Sequence, residues 1–314
     1  MTAARKAACG LAALLIVAGI GFWLRPLACY DGAIYLHEAL TGVRSRTVVV
    51  HGCRVHYLVQ GPADGDAVVL VHGLGGSAED WRNLAPDFAR AGYRVYMPDL
   101  PGYGRSQRPQ DFSYSVRDEA AVVIGFMDNL GLRRVTLGGW SMGGWIAQLV
   151  AAQQPQRVAR LMLFDSAGLH IQPIWDTRLF TPTSARQLGQ LEALLMPHPP
   201  AVPEFVARDI LRVSATHAWV IQRALASMLT GRDVTDDLLP QLKMPVLIAW
   251  GAKDRIMPLS QGQTMHRLIP QSRLIVAAGC GHLAPLECSQ QLWPGMQQFI
   301  SEQVDVNQKP GTAL

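Results

Sequence analysis

From residue 47 onward, short apolar runs alternate with longer runs of helical character. The short runs at 67–72, 94–97, 134–137, 160–164, 245–250 and 273–277 are rich in Val, Leu, Ile and Met. Such near-continuous apolar stretches predict strands buried on both faces. The longer runs near 78–91, 116–130, 142–153, 260–268 and 283–301 predict helices between them. Strands and helices in alternation specify a mostly parallel sheet with helices on both faces. Ahead of them, 47–50 and 55–59 flank Gly52 and read as an antiparallel hairpin, which brings the sheet to eight strands.

The alternation stops at 168–239. Helical runs at 184–195 and 203–212 are joined there by proline-rich loops, and large apolar side chains such as Trp175, Phe180, Phe205 and Trp219 recur. The stretch is too long for a plain crossover. It is expected to leave the sheet and return as a helical cap over the C-terminal edge of the strands, where such folds bind ligands. The α/β core is then 47–167 with 240–303, and 304–314 is a polar tail.

The N-terminus follows a different pattern. Arg5 and Lys6 precede an uncharged apolar stretch from 7 to 24, long enough at the helical rise to nearly span a bilayer's hydrocarbon layer. Trp23 and Arg25 stand where an interfacial anchor would be. Three readings are open: an uncleaved signal anchor, a cleaved signal peptide and a buried helix. The length exceeds a secretory apolar core, and Arg25-Pro26 interrupts a cleavage site, which favours an anchor over 1–25 and a membrane-proximal linker over 26–46. The expectation is a single-pass membrane protein with its catalytic domain outside the cytoplasm; a secreted or periplasmic chain is the alternative.

Composition narrows the function classes. Hydrophobic residues are 49% and charged residues 17%, so a large core is available and global disorder is excluded. The net charge of +4 is scattered, without the basic block that a nucleic-acid partner would need. The nine histidines show no metal-ligand spacing, so no metal or other cofactor is expected. Five cysteines without a Cys-x-x-Cys spacing indicate no zinc site; a Cys280–Cys288 bridge is conceivable and depends on geometry.

One pentapeptide concentrates the chemistry. Gly139-Trp140-Ser141-Met142-Gly143 lies between a predicted strand and a predicted helix. A serine on so sharp a turn is lifted clear of the sheet, with the helix N-terminus aimed at it. A nucleophilic serine also needs a base, a group that orients the base, and oxyanion donors. Asp254 follows the strand ending at Trp250, and His282 sits in a glycine-rich loop after the last strand. The backbone amides of Leu74, after His72-Gly73, and of Met142 are the candidate oxyanion donors. Gly73 and Trp140 are candidate pocket residues, and His72 is expected to shape its loop. Asp165 also follows a strand and is expected in a solvated or capping role.

In this order, His72-Gly73-Leu74-Gly75-Gly76, Asp99-Leu100-Pro101-Gly102-Tyr103-Gly104-Arg105-Ser106, Gly139-Trp140-Ser141-Met142-Gly143-Gly144, Trp250-Gly251-Ala252-Lys253-Asp254 and Gly281-His282 resemble the α/β-hydrolase superfamily. Within it, the apolar N-terminus, the elbow and the short cap look like membrane-anchored monoacylglycerol lipases and related bacterial lipases and esterases. The resemblance implies an α/β-hydrolase fold, a triad of Ser141, Asp254 and His282, and hydrolysis of acyl esters near a membrane. Carbon–carbon bond hydrolases and cofactor-free haloperoxidases on this fold keep the serine and stay open as alternatives. A binding protein on a hydrolase scaffold is a remoter one.

Overall fold

The computed structural model describes residues 18–170 and 172–302. Helix α1 (Pro26–Leu40) comes first, with Pro26 in its first turn, where a missing N–H costs nothing. The sheet-forming part begins with β1 (Arg44–Val50), β2 (Cys53–Gln60) and β3 (Ala67–Val71), then α2 (Ala85–Arg90) and β4 (Arg94–Pro98). Next come α3 (Val116–Asn129), β5 (Val135–Trp140), α4 (Met142–Gln153) and β6 (Val158–Phe164). Helices α5 (Ala185–Leu195) and α6 (Glu204–Met228) form the insertion, and β7 (Val246–Gly251) returns to the sheet. The chain closes with α7 (Leu259–Leu268), β8 (Ser272–Ala277), α8 (Ala284–Glu287) and α9 (Ser289–Ser301).

The eight strands lie in the order β1-β2-β4-β3-β5-β6-β7-β8. Pairing is antiparallel from β1 through β2 to β4 and parallel for the rest. Strand β3 shows why the central runs are continuously apolar. Val69 and Val71 join the core on one face, while Val68 and Leu70 join the core on the other. Successive side chains of a strand point to opposite faces, so a sheet with helices on both sides has no polar face to supply. Trp250 and Trp81 are fully buried on opposite faces, each contributing on the order of 2–3 kcal/mol through apolar burial.

Three predicted helices differ in detail. The run at 78–91 splits into a 3-10 turn, Ala78–Trp81, and α2, because the Asp80 carboxylate folds back onto the Ser77 amide in a capping box and closes a single turn. The helix predicted at 203–212 continues to Met228, since no glycine or proline interrupts it. The run at 283–301 breaks at Cys288, which is disulfide-bonded to Cys280.

The membrane reading is overturned. Among the described residues no helix is long and apolar enough to cross a membrane, and residues 1–17 of the expected anchor lie outside the described residues. The described end of that segment, 18–24, turns onto the insertion. Phe22 meets Phe205 edge-on at 5.7 Å, Arg208 lies over the Trp23 ring at 5.2 Å, and Arg25 reaches the buried carboxylate of Asp209 at 3.8 Å. The Leu27 amide donates to the same carboxylate at 3.1 Å. The side chains read as an interfacial anchor are therefore engaged with α6, and the predicted membrane partner and outward topology are withdrawn.

Candidate active site

Strand β5 ends at Trp140 and α4 begins at Met142, so one residue turns the chain. Ser141 does so at φ 54° and ψ −119°, a region costing a non-glycine residue about 1–3 kcal/mol. The surroundings hold it there. The Ser141 amide donates to Phe164 O at 2.9 Å, and the Ala167 amide donates to Ser141 O at 3.1 Å. The flanking glycines are needed for the approach: a Cβ on Gly139 would stand 2.1 Å from Gly143 O, and one on Gly143 2.2 Å from Val71 O.

Three sequence-distant side chains meet at this turn. His282 Nε2 lies 2.9 Å from Ser141 Oγ, and His282 Nδ1 lies 2.8 Å from Asp254 Oδ2. The His282 and Asp254 side chains are 4% and 0% exposed, so their interaction is shielded from water. Asp254 Oδ1 accepts the amides of Ile256 and Met257 at 2.8 and 2.9 Å, which fixes the carboxylate. With Nδ1–H donating to the carboxylate, Nε2 is left to accept the serine proton.

The loop carrying His282 is clamped from three sides. The Cys280–Cys288 bridge encloses it, with Cα atoms 6.3 Å apart. The His282 amide donates to Leu195 O at the end of α5 at 2.9 Å, and the Trp140 indole N–H donates to His282 O at 2.7 Å. Closing so short a loop covalently stabilises the fold by about 2.5 kcal/mol through the unfolded chain. Reduction of the bridge should therefore lower the melting temperature by several degrees and weaken catalysis with it. An unchanged melting curve, with thiol titration showing the bridge open, would count against the clamp.

The remaining predicted site residues fall around this core. Leu74 is half-buried on the turn after β3 and Met142 is buried at the start of α4; among the described residues, neither amide donates to a protein acceptor. Gly73 lies against the nucleophile, since a Cβ there would be 3.2 Å from Ser141 Cβ. His72 is occupied on both ring nitrogens, by Gly73 O at 2.8 Å and the Leu100 amide at 3.0 Å, and so shapes the loop. Trp140 is buried in the core with Trp81 and Phe164 and makes its polar contact with the His282 backbone.

Of the solvated or capping role expected of Asp165, the solvated one is not met. It is fully buried rather than solvated, at φ 41°, with Oδ1 accepting the Gly251 amide at 2.7 Å. Oδ2 has no hydrogen-bond partner among the described residues. Burial and the nearby Asp254 charge push its pKa well above the ordinary carboxyl value. Sequence patterns show neither this nor the Leu195 contact, because both depend on burial and on pairs far apart in the chain.

Beside the site, a crevice of about 210 Å³ opens between core and insertion, lined by residues that include Trp145, Leu169, Trp175, Leu225, Met228 and Met257. Its wall is bonded to the site: Ala167 holds the Ser141 carbonyl, and Met257 holds Asp254.

Known proteins share this fold. A family profile described as the alpha/beta hydrolase fold matches residues 66–213 and 230–287. A 2-hydroxy-6-oxononadienedioate/2-hydroxy-6-oxononatrienedioate hydrolase of Burkholderia vietnamiensis is 30% identical over 79% of this chain and 91% of its own. Lipase 1 of Psychrobacter immobilis is 26% identical over 80% of this chain and 81% of its own. The crystal structure of a membrane phospholipase A described as a bacterial virulence factor superposes with a TM-score of 0.80 at 26% identity, covering 94% of this chain and 98% of the other. With an eight-stranded sheet, a strained strand-to-helix turn and a profile match over more than half its length, this chain belongs to the alpha/beta hydrolase fold family.

Proposed function

We propose that this hydrolase cleaves carboxylic esters through an acyl-enzyme on Ser141. The observation that carries the reading is the continuous hydrogen-bonded chain from Ser141 Oγ through His282 to Asp254, at 2.9 and 2.8 Å. Ser141 Oγ attacks the ester carbonyl carbon while His282 Nε2 takes its proton. The amides of Leu74 and Met142 receive the developing oxyanion. His282 then returns the proton to the departing alcohol. Water enters, gives a proton to His282, and releases the acid by the same path.

The crevice favours an acyl chain over a charged substrate. Its described lining holds no lysine or arginine; apolar surface from Trp145, Leu169, Trp175, Leu225 and Met228 predominates over the polar side chains of His170, Gln172 and Thr230. A carboxylate buried without a cation there would carry a large desolvation cost. The lipase of Psychrobacter immobilis supports the same reading. The second reading, carbon–carbon bond hydrolysis, rests on the Burkholderia relative, whose dienedioate substrate carries carboxylates.

One comparison separates the two. The full-length protein is assayed on p-nitrophenyl esters and monoacylglycerols of increasing chain length, and on a vinylogous 1,5-diketone acid. Ester turnover exceeding diketone turnover at least a hundredfold is expected, with an optimum at a medium acyl length. The reverse ratio would transfer the assignment to carbon–carbon hydrolysis.

A further inference from the structure

A second serine, histidine and aspartate are hydrogen-bonded in series at the far edge of the sheet. Ser45 Oγ lies 2.8 Å from His56 Nε2, and His56 Nδ1 lies 2.7 Å from Asp99 Oδ2. These spacings match those of the Ser141 chain within 0.1 Å. The supporting contacts match in kind as well. The side chains of His56 and Asp99 are 7% and 2% exposed. Asp99 also accepts the amides of Ala78 at 2.6 Å and Arg105 at 2.8 Å. Burial alone would raise the Asp99 pKa, but these donors and His56 outweigh it and hold the carboxyl below its ordinary value. An ionised Asp99 keeps the proton on His56 Nδ1 and leaves Nε2 to accept from Ser45.

Ser45 lies on the exposed edge strand β1, and its strand neighbours reach a cleft of about 300 Å³ beneath α1 whose lining mixes apolar side chains with His37, Gln60 and Arg82. Val43, two residues earlier, and Leu58, its cross-strand partner, both line this cleft together with Ile34, Ala85 and Met97. Arg105 ties α1 down over it, bonding Glu38 at 2.8 Å and Glu79 at 2.6 Å.

We infer that Ser45 is a second acylation site, activated by His56 and Asp99, which takes an acyl group from an activated ester and lodges its chain in the cleft under α1. Ser45 Oγ bonds to the acyl carbon, its proton passes to His56 Nε2, the carbon–oxygen bond to the alcohol breaks, and that proton leaves with the alcohol. Ser45 sits within a strand and not at a helix N-terminus. Each missing oxyanion donor slows such chemistry by a factor of about 10²–10³. The same deficit slows hydrolysis of the product, so the expected outcome is a persistent acyl-serine and not turnover.

The test uses the full-length Ser141→Ala protein, in which the elbow nucleophile is absent. It is incubated with millimolar p-nitrophenyl octanoate, and separately with a fluorophosphonate, then read by intact mass and peptide mapping. One adduct per chain on Ser45 is expected, and it should fall at least tenfold in Ser141→Ala/Ser45→Ala and in Ser141→Ala/His56→Asn. The exposed Ser45→Ala change decides the matter if loss of the buried His56 unfolds the chain. No adduct, or one that survives Ser45→Ala, would overturn the inference. Labelling of the wild-type protein at Ser141 reports separately on the elbow, so the two proposals fail independently.

Discussion

Exchanging Ser141 for alanine should lower kcat on an acyl ester by about six orders of magnitude, with KM little changed. A loss of that size is about 8 kcal/mol of transition-state stabilisation. It is expected because His282 would then have no nucleophile to deprotonate, although it stays bonded to Asp254 at 2.8 Å. A residue of about 10³-fold over the uncatalysed rate should persist through substrate binding and the amides of Leu74 and Met142. A second change at the same position separates chemistry from stability. Ser141→Gly should abolish activity equally yet raise stability by about 1–3 kcal/mol, since glycine adopts φ 54° without strain. Steady-state kinetics and thermal melting of both variants check this. An alanine variant retaining even a hundredth of the wild-type rate would remove Ser141 from the mechanism.

The second large effect concerns the two acids. Asp254→Asn should reduce kcat by about four orders of magnitude, because an amide cannot hold the His282 tautomer or stabilise its imidazolium. Asp165→Asn should leave kcat within a few-fold of wild type. Burial and the Asp254 charge already push the Asp165 carboxyl toward its neutral form, and an asparagine carbonyl can still accept the Gly251 amide. Asp165→Asn should also change how stability depends on pH. With its pKa raised in the folded state, Asp165 keeps its proton to higher pH there than in the unfolded chain, which releases it above about pH 4. Its contribution is fully present at low pH and is lost as pH rises toward the folded value, by about 1.4 kcal/mol per pH unit. The melting temperature of Asp165→Asn should therefore gain on wild type as pH rises from 4 to 8. A constant difference across that window would mean that Asp165 is ionised in the folded protein.

Legibility in the sequence followed the range of the interactions. The β3 run Val68–Val71 announces a strand because burial on both faces demands four successive apolar side chains, a requirement local to the chain. The elbow is legible for the same reason. Gly139 and Gly143 leave room for backbone atoms only a few residues from Ser141, or on the strand next to it. Segment 18–24 was misread because an apolar run states that it must leave water, not where it goes. Here Phe22 goes against Phe205, and Arg25 goes to Asp209, nearly two hundred residues away.

By itself, then, the sequence determined the alternation of elements, the glycines of the elbow and the order Ser141, Asp254, His282 along the chain. All three depend on backbone geometry and burial within a few residues of each position. Only the tertiary structure decided which of two strand-end acids faces the histidine, and that Asp165 lies buried beside Asp254. It also decided that Cys280 pairs with Cys288, that Leu195 holds the His282 loop, and that Ser45 meets His56 and Asp99. Each of these requires two groups to come within about 3 Å after the sheet has closed, and hydrogen bonds weaken steeply beyond that distance. Spacing along a chain carries no such distance.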